Sequence, residues 1–310
     1  MSKLNISVSP HIRSNQTTQK IMLDVIIAML PAFGASIWLF GVRALFITAV
    51  CVLSCILGEM AFELITKRPI TVGDLSAVVT GMLLSFNLPV SVPAWQAMVG
   101  SLIAIVVVKQ LFGGIGYNFA NPALAARVAM LLSFSGTMSA YTAPHTDLVS
   151  SATPLDCMAK GEALPSLSQM FLGERAGSLG ETCAVALIIG FIYLICRRVI
   201  TWHIPVIYVG TVFALSYIFG GGLTAATYQI LSGGLLLGAI FMATDYVTSP
   251  PTAWGKVIFA VGCGLITFAI RYWGTYPEGA SFAILFMNIL TPYISKLTAH
   301  KPFGMVKEGA

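Results

Sequence analysis

The chain carries very little charge for its length. Only 9% of its 310 residues are Asp, Glu, Lys or Arg, whereas 57% are hydrophobic. A soluble domain carries about 25% charged residues, so this chain cannot cover its surface with groups that water solvates. The low charge therefore argues against a soluble globular domain and predicts an all-α integral membrane protein.

Two further absences narrow the class. The apolar runs lack the alternation of the roughly 10-residue strands in a membrane β-barrel. The basic residues behind the net charge of +5 are scattered at the ends of apolar runs and form no patch with interleaved aromatic residues. We therefore predict no nucleic-acid partner and interpret these bases as topology signals that face lipid headgroups and water.

The six cysteines include no CxxC pair, so the sequence shows no metal-ligand spacing. Cys51 and Cys55 lie one helical turn apart in an apolar run, and we interpret them as small buried residues. A cleavable signal peptide is not expected, because the first 20 residues are polar. The first apolar run is then expected to direct membrane insertion itself.

Apolar runs of suitable length predict about ten transmembrane helices. The expected spans are residues 21–40, 43–65, 74–90, 94–112, 121–137, 180–197, 203–220, 226–245, 254–272 and 278–296.

The distribution of lysine and arginine predicts the orientation of these spans. With a cytoplasmic N-terminus, the pairs Lys67-Arg68 and Arg197-Arg198 fall in cytoplasmic segments, as the positive-inside rule requires. The C-terminus is then cytoplasmic too, and the longest loop is extracytoplasmic. The expected layout is a cytoplasmic N-terminal segment at 1–20, a first helical unit at 21–137, the loop at 138–179, a second helical unit at 180–296 and a cytoplasmic tail at 297–310.

The two helical units share a weak sequence repeat. GMLL at 81–84 precedes Pro-Ala-Trp at 93–95, and GLLL at 234–237 precedes Thr-Ala-Trp at 252–254. In each unit the next span ends in a base, Lys109 or Arg271, followed by an aromatic-glycine turn. Five spans per unit place the halves in opposite orientation, so the sequence predicts two inverted five-helix repeats.

The long loop contains the hydroxyl-rich string DLVSSATPL at 147–155. A threonine hydroxyl can be esterified to a phosphate if it lies in an accessible, extended segment with small neighbours. Ser150, Ser151 and Ala152 are small, and Pro154 disfavours helix at Thr153. On this chemistry alone, a Ser/Thr-rich turn that leads into a helix is the alternative.

A second glycine-rich string, GGIGYNFANP at 113–122, lies between two spans. It is not a dinucleotide-binding fingerprint, because no strand precedes it. Asn121 suits a helix N-cap, and Gly113 and Gly114 allow close approach of the backbone to a ligand. With Asn118, these residues are candidates for holding a flavin phosphate or pyrimidine edge at a helix N-terminus. A capped, closely packed turn is the alternative.

Several ionisable residues lie at or inside the predicted spans, where charges are costly and face a bundle interior or a water path. Asp74 and Asp245 fall at near-equivalent places in the two repeats and are our candidates for an ion pathway. Glu59 and Arg127 could pair with each other or elsewhere in the bundle, and for each residue a structural ion pair is the alternative. The set is Asp24, Glu59, Glu63, Asp74, Lys109, Arg127, Asp245, Arg271 and Glu278.

The string Asp-x-x-Ser-x-Ala-Thr at 147–153, continued by Pro-Leu, resembles the flavinylation motif of the RnfD and NqrB family of membrane redox proteins. Other segments similar to that family are SPHIR at 9–13, GDLSA at 73–77, the 113–122 string, ATD at 243–245, YPEG at 276–279 and Met-Asn at 287–288. The length resembles the RnfD branch, since NqrB proteins carry a longer N-terminal extension. One departure is Ser151, where the family often has glycine.

This resemblance implies that a flavin transferase joins FMN through a phosphoester to Thr153, with Asp147, Ser150 and Ser151 in flanking motif positions. It also implies a second, non-covalent flavin, riboflavin, towards the cytoplasmic side. The implied function is electron transfer in a complex that couples ferredoxin:NAD⁺ oxidoreduction to Na⁺ or H⁺ translocation across the bacterial cytoplasmic membrane. The implied partners are the other Rnf proteins of that complex, RnfA, RnfB, RnfC, RnfE and RnfG.

The competing hypothesis is an ion or small-solute transporter without a redox role, because inverted repeats, broken helices and buried carboxylates fit that class too. A scaffold protein of a larger assembly is a third hypothesis. The loop motif at 147–153 discriminates, because neither alternative needs it.

Overall fold

The computed structural model describes residues 16–145, 151–274 and 278–299, and the regular structure within them is helical. In chain order the helices are α1 (Thr18–Phe40), α2 (Val42–Ile65), α3 (Ser76–Phe86), α4 (Ala94–Leu102, continued by a π-helix over Ile103–Gln110), α5 (Pro122–Ser133), α6 (Ser135–Met138), α7 (Pro154–Lys160), α8 (Leu167–Leu172), α9 (Ala184–Cys196), α10 (His203–Phe219), α11 (Leu223–Leu231), α12 (Leu235–Leu237, continued by a π-helix over Gly238–Met242), α13 (Ala253–Trp273) and α14 (Ala280–Leu297). A 3₁₀ turn at Val72–Asp74 precedes α3.

By length and composition, α1, α2, α13 and α14 can each cross a bilayer. The pair α11 and α12 would be a fifth span, bent by 66° at its break, and α3, α4, α5, α9 and α10 are apolar but shorter. Large apolar side chains face outward along these helices, among them Leu53 and Ile218. Such exposed apolar surface suits lipid rather than water, which confirms the prediction of an all-α membrane protein.

The largest departure from the predicted spans lies where α3 ends and α9 begins. The spans were expected at 74–90 and 180–197, whereas α3 stops at Phe86 and α9 starts at Ala184. The non-helical segments pair instead, because Gly180 N donates to Phe86 O (3.0 Å) and Leu179 N donates to Leu88 O (3.1 Å). Broken helices are tolerated at membrane depth only when protein satisfies their backbone groups.

The break between α11 and α12 is closed by two charged side chains. Arg271 donates to the carbonyl oxygens of Gln229 (2.5 Å) and Ser232 (3.0 Å), while Glu278 Oε1 accepts from Gly234 N (3.0 Å). A helix end leaves carbonyls or amides without intrahelical partners. Each charge therefore satisfies backbone groups that lipid could not.

The two halves of the chain pack in the same internal pattern. Helix α2 contacts α3 and α4, as α10 contacts α11 and α13. Between the halves, α1 packs on α9 and α5 contacts α14. The α1–α9 contact includes hydrogen bonds to the Asp24 carboxylate from Tyr193 Oη (2.9 Å) and Arg197 Nε (3.2 Å).

Candidate cofactor sites

Thr153 is the N-cap of α7, with Pro154 at the first helical position. Its Oγ1 accepts a hydrogen bond from Asp156 N (3.3 Å) and donates one to Asp156 Oδ2 (2.6 Å). The same carboxylate accepts from Thr153 N (3.2 Å), which completes a capping box. The motif hydroxyl is therefore fixed at the start of a short helix, with Thr153 only 9% exposed.

Helix α7 is docked against α11 by its apolar residues. Leu155 Cδ1 lies 2.9 Å from the point that a Cβ on Gly233 would occupy, so the glycine makes room for it. Met158 packs on a buried cluster that contains Tyr228 and Leu231. Ser151 N donates to Tyr141 O (2.8 Å). Two motif residues predicted from the sequence, Asp147 and Ser150, lie outside the described residues.

A cavity of about 420 Å³, here named the α7 cavity, adjoins this helix. Ser151, Ala152, Pro154 and Cys157 line it from the side of the motif, and the Glu174–Ala176 segment lines another side. Small-molecule sites commonly measure about 300 to 1,000 Å³. The residues that flank Thr153 therefore border a space large enough for part of a nucleotide cofactor.

A group of charged residues lies under the α7 segment, and we name it the arginine cluster: Arg127, Arg175, Glu181, Arg271 and Glu278. Arg127 makes a two-pronged pair with the Glu278 carboxylate, with Nη1 2.9 Å from Oε1. Arg271 Nη2 lies 3.2 Å from the same Gly233 Cβ position that Leu155 approaches. The cluster contains three guanidinium groups and two carboxylates.

Arg175 is 4% exposed and lines the α7 cavity. Its Nε donates to Thr182 O (3.3 Å) and its Nη2 donates to Glu181 O (2.8 Å). Burial lowers the pKa of the Arg175 guanidinium to about 10, although the nearby Glu181 carboxylate opposes this shift. The side chain therefore stays protonated at neutral pH.

A second cavity of about 410 Å³, here named the α5 cavity, lies at the N-terminus of α5. Its polar lining includes Ser76, Lys109, Asn118, Asn121 and Asp245, and most other lining residues are apolar. A mostly apolar wall with a few converging polar groups is typical of cofactor sites.

The N-cap predicted at Asn121 is observed. Asn121 Oδ1 accepts from Ala123 N (3.1 Å) and Leu124 N (3.3 Å), while Nδ2 donates to Met242 O (3.3 Å). The residue therefore caps α5 and ties it to the segment after α12.

Asp245 and Asn118 meet at the same cavity. Asp245 Oδ2 accepts from Asn118 Nδ2 (3.4 Å) and from Thr248 Oγ1 (3.1 Å). The predicted Gly113 and Gly114 do not line the cavity, whereas the neighbouring Gly116 does. Gly113 and Gly114 have φ values of +124° and +91°, which only glycine adopts readily, so their observed role is to shape the turn.

Beside the α5 cavity lies a second charged group, named the lysine cluster: Glu59, Glu63, Ser76, Lys109 and Gln110. Lys109 Nζ donates to Glu59 Oε1 (2.7 Å) and Ser76 Oγ (2.6 Å), and Gln110 Nε2 donates to Glu59 Oε1 (2.6 Å). Of the two partners left open by the sequence, Glu59 pairs with Lys109 and not with Arg127. The other Glu59 oxygen, Oε2, is buried with no hydrogen-bond partner in the described chain.

Asp74 lies next to this cluster but does not line the α5 cavity. Its Oδ1 accepts from Ser76 N (2.8 Å) and Ser76 Oγ (2.5 Å), which caps the start of α3. The structure therefore separates the two candidates for an ion pathway, since Asp245 borders the cavity and Asp74 acts on it only through Ser76.

These features define a class: a polytopic helical membrane protein with broken spans, cofactor-sized cavities and charged residues inside the bundle. Within that class the chain belongs to the NQR2, RnfD, RnfE family, whose sequence pattern matches residues 5–304.

Three relatives cover almost the whole chain, and each is the D component of a membrane complex. It is 48% identical to that component of the Na(+)-translocating ferredoxin:NAD(+) oxidoreductase complex of Acetobacterium woodii, over 99% of this chain and 98% of the relative. It is 40% identical to that of the proton-translocating ferredoxin:NAD(+) oxidoreductase complex of Clostridium ljungdahlii, over 96% of each chain. It is 35% identical to that of the ion-translocating oxidoreductase complex of Halorhodospira halophila, over 97% of this chain and 96% of that protein.

Proposed function

We propose that this chain is the electron-transfer membrane component of an ion-translocating ferredoxin:NAD⁺ oxidoreductase complex, with FMN bound covalently to Thr153. The proposal is carried by one observation: the motif threonine begins a helix beside a cofactor-sized cavity, in a chain 48% identical to the D component of such a complex. Its partners are the other Rnf proteins and a flavin transferase, and its location is the bacterial cytoplasmic membrane.

The residues around Thr153 fit a flavin nucleotide. Thr153 Oγ1 already accepts a hydrogen bond from Asp156 N, and an esterified oxygen can keep that bond. Arg175 supplies a buried cation at the cavity wall, and guanidinium is the side chain best matched to phosphate oxygens. When attached, FMN supplies one- and two-electron redox chemistry, and the protein sets its orientation and electrostatic surroundings.

The proposed topology has ten spans in two inverted five-helix repeats, with both termini cytoplasmic and the α7 loop extracytoplasmic. Each predicted span contains a helix or a bent helix pair, if the five shorter apolar helices are counted as crossings. The matched packing of α2 and α10 and the contacts α1–α9 and α5–α14 join elements at equivalent repeat positions. These contacts support the repeat predicted from the sequence.

We place the second, non-covalent flavin in the α5 cavity. Its volume of about 410 Å³ and its apolar walls suit an aromatic ring system. Asn118, Asn121, Lys109 and Asp245 offer donors and acceptors for a polar ring edge. Helices α13 and α14 run from the α11–α12 break towards this region, and α13 alone is about 30 Å long.

A transporter without a redox role is the second candidate. The break of 66° between α11 and α12 and the unpartnered Glu59 Oε2 are the observations that favour it. Discontinuous helices and intramembrane carboxylates often mark ion pathways. This alternative leaves the loop motif without a purpose, so the state of Thr153 separates the two.

The test is intact and peptide mass analysis of the denatured protein, co-expressed with a flavin transferase. We expect the wild-type peptide that contains Thr153 to gain the mass of one FMN minus one water. Thr153→Ala should lose all of that mass and keep its helical content. Ser166→Ala is the matched control, because Ser166 caps α8 in a capping box of the same kind and its loss should leave the flavin attached.

Two results would contradict the proposal. An unmodified wild-type peptide, with the transferase shown to be active on another substrate, would remove the support for a covalent flavin and favour transport. Retention of the added mass in Thr153→Ala would place the flavin on another residue.

A further inference from the structure

Arg175 is a buried arginine that forms no ion pair within the described residues. Two of its nitrogens donate instead to the carbonyl oxygens of Thr182 and Glu181. The third, Nη1, has no hydrogen-bond partner among the described residues. A buried charge of this kind is expensive unless something pairs with it.

The place of Arg175 in the fold indicates what that partner is. It lines the α7 cavity together with Ser151, Ala152 and Pro154, the residues on either side of Thr153. The acidic residue on the same wall, Glu174, is exposed. A buried donor therefore borders the space next to the proposed attachment point.

The surrounding arginine cluster does not neutralise Arg175. Glu278 is engaged by Arg127. The nearest other acid, Glu181, accepts from Ser178 N through Oε1 (2.9 Å), and its Oε2 has no described partner. With three guanidinium groups against two carboxylates, the described cluster retains one positive charge, which suits an anionic ligand.

We propose that Arg175 binds an anionic oxygen of the flavin nucleotide in the α7 cavity, either on its phosphodiester or on the pyrimidine carbonyl edge of its ring. The inference rests on the proposed attachment of FMN to Thr153. A guanidinium can bind either group with two parallel N–H donors. Its two carbonyl contacts hold the side chain in place, while Nη1 remains for the ligand.

The two oxygens predict different readouts. The phosphodiester is anionic in both redox states, so a cation beside it orders the flavin and changes its potential little. Reduction of the ring by two electrons with uptake of one proton adds one negative charge, which the N1–C2 carbonyl edge carries. A cation at that edge favours the reduced form and raises the potential.

The experiment compares Arg175→Gln and Arg175→Lys with Lys160→Gln in the full-length protein loaded with covalent flavin. Lys160 is an exposed base of the same loop, so its loss removes the same charge away from the cavity. Mass analysis first establishes attachment at Thr153 in each variant. The midpoint potential and fluorescence anisotropy of the covalent flavin are then measured as differences from Thr153→Ala, which removes the signal of the second flavin.

If the ring edge is the ligand, Arg175→Gln favours the oxidised form about tenfold, which lowers the two-electron potential by about 30 mV. Arg175→Lys stays near wild type, and Lys160→Gln is unchanged. If the phosphodiester is the ligand, the potential holds but the anisotropy of Arg175→Gln falls. If Arg175→Gln does not fold, Glu174→Gln is tested at the same cavity, and removal of that acid should favour the reduced form about twofold or raise the anisotropy.

An attached flavin whose potential and anisotropy are unchanged in Arg175→Gln would overturn the role of Arg175 and leave the proposed function intact. If Arg175→Gln does not fold, no change in Glu174→Gln has the same meaning. A wild-type protein with no flavin at Thr153 would overturn both.

Discussion

In the lysine cluster two buried glutamates face one buried lysine, whereas in the arginine cluster three arginines face two glutamates. Glu59, Glu63 and Lys109 are each at most 3% exposed. Arg127, Arg175 and Glu181 are buried to a similar degree, with Arg271 and Glu278 partly exposed. The first cluster therefore has an excess of negative charge and the second an excess of positive charge.

This difference assigns the two regions to different ligands. An acidic excess beside the α5 cavity, with Glu59 Oε2 unpartnered, suits a cation or a proton. A basic excess beside the α7 cavity suits an anionic nucleotide. Opposite charge at two sites of one membrane protein fits the proposed coupling of electron transfer to cation movement, because each site favours one of the two partners.

The largest effect is expected for Lys109→Met. It removes the cation that donates to Glu59, which is 0% exposed, and an uncompensated buried carboxylate costs about 3 to 5 kcal/mol. Thermal unfolding in detergent would measure the loss. Adding Glu59→Gln should restore more than half of it, since the buried charge is then gone. Unchanged stability of the single variant would show that the lysine cluster is not held by this pair.

A smaller loss is expected for Arg127→Met in the arginine cluster. Glu278 keeps its hydrogen bond from Gly234 N, and its side chain is 18% exposed, so we expect a cost of about 2 to 3 kcal/mol. The same unfolding assay applies. A cost equal to that of Lys109→Met or above it would remove the proposed contrast in how the two clusters balance charge.

The smallest of these effects is expected for Asn118→Ala at the α5 cavity. The substitution removes one donor to Asp245, worth about 1 kcal/mol, and should weaken non-covalent flavin binding about fivefold. Riboflavin titration of flavin-stripped protein measures this. Tyr117→Ala is the control, because Tyr117 is 71% exposed and does not line the cavity. Equal losses in both variants would place the flavin elsewhere.

Composition alone predicted the helical membrane class and the ends of the longest helices. Helix α13 was expected at 254–272 and is observed at Ala253–Trp273. The break in the span expected at 226–245 was not resolved, because Gly233 and Gly234 lie inside an apolar run of suitable length. That break exists because Arg271 and Glu278, distant in the sequence, satisfy its backbone groups.

The sequence also predicted part of the candidate sites. Asn118, Asn121 and Asp245 meet at one cavity, as expected for a turn and a helix N-cap that hold a ligand. Arg175 was counted only as a base of the loop, because burial depends on how the segment before α9 folds onto Phe86 and Leu88. Its one sequence signal is a base between Gly173 and Gly177, and that signal says nothing about which groups pack on it.

The capping box at Thr153 also has a consequence for biogenesis. Both hydrogen-bonding functions of the hydroxyl are occupied by Asp156, and Leu155 is buried in the space that Gly233 leaves. A second enzyme cannot enclose such a residue in its own active site. If Thr153 is the attachment point, flavin transfer must come before this segment docks on α11, and a chain that matures without the transferase is closed to the modification.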